Sequence, residues 1–363
     1  MKNKFWAIGM MSGTSLDGID VAGIYTDGET IFEKLPGKAY PYTSAFQKRL
    51  KNMLGTTDYT PDSRGIESTL TDLHAAAYLD YTSEFPHPID VVGFHGHTII
   101  HRPPSRYQPP FTWQLGDGPA LSQSIHVPVV YDLRKHDLEN GGEGAPLVPI
   151  YQKALAKDLP HPLAIINIGG IANVAYTDTD TLLAFDMGPG NALLDQWMMQ
   201  HTNTPYDKDG LRSAQGTVDQ SVLTAFEADD FFQKAPPKSL DRLDYTLDHV
   251  THLSLSDGAA TLVEMTALGI EKGLSLFPKT PRQCLITGGG RLNKTLMKSL
   301  SKRLAPIPVQ PAESVGWAGD FLEAEAWAYL AVRSLKNLPI TFPTTTGVAQ
   351  PLSGGKLAQP SEK

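Results

Sequence analysis

The chain has 363 residues, 41% of them hydrophobic, and a formal net charge of -8. That length suggests two domains with ordinary apolar cores, and the acidic balance argues against broad nucleic-acid or membrane-surface binding while leaving local basic groups free to hold an anionic ligand. The single cysteine, Cys284, excludes an intrachain disulfide and fits a reducing compartment.

In chain order, residues 5–10 read as a buried strand, followed by the loop GMMSGTSLDG and a second strand over 19–25. The start, MKNKFWAIGMM, places two lysines before an apolar patch but runs into SGTSLDGID rather than a small-residue cleavage site. It is therefore not read as a signal peptide, no apolar run is long enough to span a bilayer, and a cytoplasmic protein is expected. Phe46, Leu50, Met53 and Leu54 recur at helical spacing, as do Ile66, Leu70, Leu73 and Ala77. A short strand over 91–94 ends in HGHT. The second half begins like the first: a strand over 163–168, a Gly169-Gly170 turn and a returning strand over 172–176. A strand over 182–185 enters DMGPGN, and 192–200 reads as a helix. Helices follow over 262–276, 292–304 and 321–335, with a strand over 285–287 ending in Gly288-Gly289-Gly290. Cys284, at that strand, reads as core rather than nucleophile. A Pro/Thr/Gly-rich stretch follows Asn337, and the chain from about Leu357 is expected to be mobile. Alternating strands and helices imply an α/β protein, and the repeated strand, glycine turn, strand motif suggests two similar units.

Several stretches could carry chemistry. Glycines in the opening loop let backbone N–H groups approach an anion, and Ser12, Thr14 and Ser15 add hydroxyls. Asp17 and Asp20 suit a hydrated Mg²⁺, so a phosphate site without lysine is possible; a polar turn with no ligand is the alternative. No Walker lysine motif, G-x-S-x-G elbow or H-E-x-x-H occurs. Gly188, Gly190 and Asn191 lie where a helix begins and could hold phosphate, and Asp186 beside them could be a general base or merely cap the turn. Gly288, Gly289 and Gly290 offer a third close-approach surface. In HGHTIIH, alternation places His95 and His97 on one strand face, where a zinc site lacks a clear further ligand and substrate hydrogen bonding or a polar edge fits better. Arg134 could pair with a carboxylate or form a surface salt bridge. Glu323 and Glu325, two apart on a helix, face different sides, so at most one enters a given site and the other is expected in solvent.

Together GMMSGTSLDGID, HGHT, DLRKHDLENGGEGAPLVP, NIGGIANV, FDMGPGNALLD, YDKDG, TGGGRLN and EAEAWAYLA resemble the anhydro-N-acetylmuramic acid kinase family. The resemblance runs in order over residues 5–355, nearly the whole chain. It implies the sugar kinase, heat-shock 70 and actin fold, with two ribonuclease-H-like lobes and ATP in the cleft between them. The expected lobes are residues 1–131 with 340–363, and 132–339. It also implies that the 1,6-anhydro bridge of anhydro-N-acetylmuramic acid is hydrolysed and O6 phosphorylated, with ATP and Mg²⁺, giving N-acetylmuramic acid 6-phosphate in cell-wall recycling. By resemblance, Gly13, Thr14, Ser15, Leu16, Asp17, Gly18, Ile19 and Asp20 form the ATP phosphate segment. Asp17 and Asp20 would hold the metal, Asp186 would be the catalytic base, and Gly188, Gly190, Asn191 and Gly288 to Gly290 would line the nucleotide. His97, Arg134 and Glu323 would meet the sugar, Arg134 at its lactyl carboxylate.

Three positions depart from the family pattern. Met187 stands for a usual threonine, His97 for a usual glutamine, and the stretch 114–120 carries an extra glycine. An ordinary sugar kinase and a nucleotide-binding sensor without turnover are the alternatives, and the sequence leaves a homodimer open.

Overall fold

A computed structural model describes residues 3–13, 15–241 and 244–361, so Thr14 of the expected phosphate segment lies outside the described residues. The chain divides into two compact units, one of residues 1–155 with 321–363, the other of residues 156–320. Residues 132–155 and 321–339, expected in the second lobe, belong to the first unit. The reason is a helix over 322–335 that packs on the first unit's central strands, as described below.

Unit 1 carries an eight-stranded sheet. Its strands are β1 (Phe5–Ser12), β2 (Gly18–Thr26), β3 (Ile31–Lys34), β4 (Lys38–Pro41), β5 (Val91–Arg102), β6 (Phe111–Leu115) and β7 (Val129–Tyr131), with the last strand of the chain at one edge. The order along the sheet is β3-β2-β1-β5-β7, with β1–β2 antiparallel and β1–β5 and β5–β7 parallel. Unit 2 has β8 (Leu163–Ile168), β9 (Ile171–Thr177), β10 (Leu182–Pro189), β11 (Gln283–Thr287) and β12 (Val309–Pro311) in the order β10-β9-β8-β11-β12. Here too an antiparallel meander of three is extended by two parallel strands. With β4, β6 and the last strand of unit 1 left out of the count, the five strands of each sheet run 3-2-1-4-5. The duplication expected from the two glycine hairpins is therefore a duplication of topology, of the ribonuclease-H-like kind. The edge strand β13 (Lys356–Ala358) pairs antiparallel with β7, Leu357 opposite Val130. The tail expected to be mobile is thus stitched into the sheet over those residues.

Helices α1 (Ser44–Met53), α2 (Pro61–Thr82), α3 (Gly118–Ile125), α4 (Lys135–Glu139) and α5 (Pro149–Leu155) belong to unit 1. Helix α1 buries Phe46, Leu50 and Met53 as its spacing implies, and Thr43 caps it. Helix α2 buries Ile66, Leu70 and Ala77, but Leu73 is exposed and His74 takes the inward position. Unit 2 has α6 (Ala192–Thr202), α7 (Gln220–Glu227), α8 (Leu255–Leu274) and α9 (Lys294–Arg303). Its core joins α8 to β8, β10 and β11 through Ile166, Phe185, Trp197, Val263, Leu268 and Ile286. The last helix, α10 (Leu322–Leu335), lies against β1 and β5 of unit 1, where its Ala324, Ala326, Ala328 and Ala331 are fully buried. Among the described residues no helix is long and apolar enough to cross a membrane.

Cys284 is fully buried in β11, and burial pushes its thiol up to about 12. The folded protein should therefore leave a thiol-specific disulfide reagent such as DTNB unreacted, and release its single thiol equivalent only when urea is added.

Candidate active site

In unit 1, β1 leads into the glycine loop. Leu16 adopts a left-handed conformation (φ 64°) and donates its N–H to the Gly13 carbonyl at 3.1 Å, closing a tight turn. Ser15 donates Oγ–H to Asp17 Oδ1 at 2.6 Å, and both side chains are exposed at the tip. Gly18 serves the sheet: a Cβ there would sit 2.3 Å from the Tyr40 carbonyl oxygen of β4. Ile19 is core, so any contact it makes with a ligand is through its backbone. Asp17 and Asp20 both lie near enough to Tyr42 for their charges to add to burial in raising its hydroxyl. Two oxygen donors near one tyrosine suit a cation completed by water and phosphate.

The HGHT strand is bulged. Met10 of β1 pairs with Phe94 and Met11 with Gly96, so His95 is an extra residue, and Gly96 takes a positive φ of 71°. A bulge redirects side chains, and the expectation that His95 and His97 share a face fails here. His97 turns inward, fully buried, with Nδ1 2.9 Å from Ser12 Oγ. Burial lowers it to about 4. It braces the base of the loop through Ser12, while its buried Nε2 has no hydrogen-bond partner among the described residues. His95 stacks on Trp327 of α10, ring centroids 4.3 Å apart at 25°. Among the described residues no cluster of three or more His, Cys, Asp or Glu could hold a metal.

Arg134 is held from two sides. Its Nε donates to His95 Nε2 at 3.2 Å and its Nη1 to the Gly144 carbonyl at 3.0 Å, with the guanidinium 5.5 Å from the Trp327 ring centre. Desolvation brings it down to about 10, while Glu323 and Asp137 oppose that fall. The carbonyl is itself fixed. Asp137, nearly fully buried, accepts the Gly144 N–H at 2.6 Å on one oxygen and the Thr346 hydroxyl at 2.7 Å on the other. Glu323 lies one helical turn before Trp327 on the same face of α10. The protein crowded around it raises its carboxyl, with the Arg134 charge pulling the other way, yet the residue is open to solvent. Glu325 reverses its expectation. It is buried, 1% exposed, paired with Lys34 Nζ at 3.0 Å and accepting the Tyr151 hydroxyl at 2.5 Å. Its partners come from β3 and α5, which spacing along α10 does not reveal.

In unit 2 three glycine turns meet at the carboxyl ends of β8 and β11. Asp186 sits half-buried near the end of β10, just before a second bulge. It pairs with Asn173 and Gly188 with Ala172, leaving Met187 extra. The Leu240 N–H donates to Asp186 Oδ2 at 2.7 Å, and the Asp186 N–H to the Lys238 carbonyl at 3.0 Å. The segment 238–240 is thus tied to both the backbone and the carboxylate of Asp186. Desolvation lowers the Lys238 amine to about 8, Lys234 adding to the fall and Asp186 resisting it.

The amides expected to receive phosphate at the start of α6 are engaged. Gly190 N–H donates to Gly170 O at 2.9 Å, Asn191 N–H to Gly169 O at 2.7 Å and Ala192 N–H to Gly170 O at 3.3 Å. Gly190 exists for that docking, since a Cβ would lie 2.3 Å from the Gly169 oxygen. At Gly188 a Cβ would lie 3.3 Å from Gly269 Cα, so the glycine lets β10 approach α8. The helix terminus is therefore a structural joint, and an anion there would have to displace those bonds. Asn191 also donates Nδ2–H to Ile168 O at 3.0 Å, next to Gly289. Gly288 takes a φ of 73° against Asn167, and Arg291 braces the turn by donating to Gly288 O at 2.9 Å and pairing with Glu313 and Asp320.

The profile of a family described as anhydro-N-acetylmuramic acid kinase matches residues 5–359. The chain belongs to the anhydro-N-acetylmuramic acid kinase family. Relatives carrying that name are 44% identical in Rhizorhabdus wittichii, over 98% of this chain and all of theirs, and 44% in Zymomonas mobilis, over 97% and 99%. Solved structures similar to the chain include an ADPNP-bound dehydratase activator from Clostridium difficile, 13% identical over 91% of this chain and 96% of that one, at a TM-score of 0.44. A ROK glucokinase from Streptomyces griseus with glucose and AMPPNP is 13% identical over 90% and 99%, at 0.40.

Among the three departures from the family motifs, Met187 is a core residue. It is fully buried, and a Cβ at Gly273 of α8 would lie 2.4 Å from its Cε. The residue at 187 is therefore placed to pack rather than to touch phosphate. In the stretch with the extra glycine, Asp117 caps α3 by accepting the Ala120 N–H at 2.9 Å, and Gly118 leaves room for the Tyr131 ring, 2.4 Å from where a Cβ would lie. That insertion shapes the start of a helix.

Proposed function

We propose that the protein is an ATP-dependent kinase that hydrolyses the 1,6-anhydro bridge of 1,6-anhydro-N-acetylmuramic acid and phosphorylates O6. It would act in the cytoplasm in cell-wall recycling. The observation that carries this reading is Asp186, a half-buried carboxylate on a strand-end bulge with one oxygen fixed by the Leu240 amide, in a chain of this family.

In this reading Asp186 takes a proton from water as the water oxygen bonds to the anomeric carbon. The bond from that carbon to O6 breaks, and O6 attacks the γ-phosphorus of ATP, which releases ADP. The products are N-acetylmuramic acid 6-phosphate, ADP and one proton. Arg134 takes the lactyl carboxylate, and Glu323 accepts a hydrogen bond from the sugar. The loop at 13–20 receives the nucleotide phosphates, Thr14 included on the strength of the family motif alone, and Gly288 to Gly290 line the nucleotide. His97 meets the sugar through Nε2, which is buried and has no partner among the described residues, and Gly188, Gly190 and Asn191 form the joint beside Asp186. Asp17 and Asp20 provide the hard oxygen donors that Mg²⁺ needs, and the ion would supply neutralisation of phosphate charge.

Running the reaction in ¹⁸O-water tests the route. Mass spectrometry should find one heavy oxygen on the anomeric carbon and none in the phosphate. No heavy oxygen on the anomeric carbon would overturn the hydrolytic route, and phosphorylation of plain N-acetylmuramic acid in preference to the anhydro sugar would mean an ordinary sugar kinase.

A further inference from the structure

Arginine has five N–H donors in a planar fork and can offer a carboxylate either its end edge, Nη1 with Nη2, or its side edge, Nε with Nη2. In this protein the side edge is taken. His95 Nδ1 lies 3.1 Å from the Gly96 carbonyl, which can only accept, so that nitrogen carries the proton. The lone pair is then on Nε2, where the Arg134 Nε–H arrives at 3.2 Å. Burial and the Arg134 charge keep this ring neutral, well below the usual histidine range. The ring is fixed by the bulge that carries it, by its stack on Trp327 and by being 8% exposed. One Nη1 hydrogen goes to Gly144 O at 3.0 Å. The remaining three hydrogens lie on the two terminal nitrogens.

We infer that His95 is a positioning residue that, by accepting from Arg134 Nε, commits the end edge of the guanidinium to the substrate carboxylate and so sets selectivity for a carboxylate-bearing anhydro sugar. The inference rests on the kinase reading above, in which Arg134 meets the lactyl group. A fork held in place before binding loses less side-chain freedom when the carboxylate arrives, and that gain exists only for a sugar that has a carboxylate. Losing it should therefore weaken one substrate and spare its neutral analogue.

The test measures calorimetric Kd values of the full-length protein for 1,6-anhydro-N-acetylmuramic acid and for 1,6-anhydro-N-acetylglucosamine, which lacks the lactyl group. His95→Phe keeps a ring on Trp327 but has no acceptor. It should weaken the muramic sugar by about 10–100-fold, the usual worth of one charged hydrogen bond, and leave the glucosamine sugar within about twofold. His95→Gln, whose amide oxygen can accept from Nε, should recover most of the loss. If the Phe variant does not fold, His95→Ala carries the same comparison. Equal weakening of both sugars, or no weakening of the muramic one, overturns the inference. Arg134→Met separates the two layers: if it leaves the muramic affinity unchanged, the carboxylate reading itself fails, whereas a loss there without a loss in the His95 variants removes only the role of His95.

Discussion

Asp186→Asn is expected to lower kcat by about 10²–10⁴-fold, the range that a positioned general base contributes, while the melting temperature and the Kd for ATP stay close to those of the parent. The substitution is nearly isosteric. The Leu240 N–H can donate to the amide oxygen as it does to Asp186 Oδ2, so the tie between 238–240 and β10 survives. The amide cannot accept the proton of the attacking water. Steady-state ADP release, a thermal melt and nucleotide calorimetry on the same sample make the test. Near-parental turnover would move the base elsewhere; a fall in melting temperature to match the lost rate would make Asp186 a structural residue.

The glycine turns were legible because glycine marks close approach, whatever does the approaching. What the sequence could not say is what approaches. At Gly190 it is the carbonyl of Gly169, a contact made only once β8 and β10 share a sheet. The same limit explains the glutamates. Helical spacing separates Glu323 from Glu325, but the partner that buries Glu325 lies 291 residues away in Lys34. The placement of His95 beside Arg134 was hidden for another reason. Two-residue alternation is the rule for strands, and a bulge, which breaks it, leaves no mark in a single sequence beyond the neighbouring Gly96. The repeated topology was legible because both hairpins keep an apolar strand, a glycine turn and a returning strand. The division of the chain was not, since α10 returns to unit 1 across 165 intervening residues of unit 2.

Gly93→Ala should be among the most damaging single-methyl changes in unit 1. A Cβ at that position would lie 2.0 Å from the Trp327 carbonyl oxygen and 2.5 Å from its carbon, far inside the roughly 3.5 Å of normal contact. Both obstacles are backbone, so no side-chain rotation relieves them, and α10 must lift from β5. Gly9 in β1 makes the same demand on the next turn of the helix, 1.8 Å from the Ala324 oxygen. Lifting α10 unpacks its buried alanine face, which should cost about 2–5 kcal/mol, the range of a core cavity. At about 2–4 °C per kcal/mol, the melting temperature falls by roughly 4–20 °C. The helix also carries Glu323 and the Trp327 ring under His95 and Arg134, so KM for the sugar should rise in whatever fraction stays folded. The control is Gly65→Ala on the exposed face of α2, where the nearest atom to a new Cβ is an Arg49 nitrogen at 3.9 Å. There the same methyl should stabilise by about 0.5–1 kcal/mol, the helix preference of alanine over glycine. Urea unfolding of the two variants beside the parent decides the point: opposite signs support close packing of α10 on the sheet, and a harmless Gly93→Ala would mean that the helix does not rest on β5 in solution.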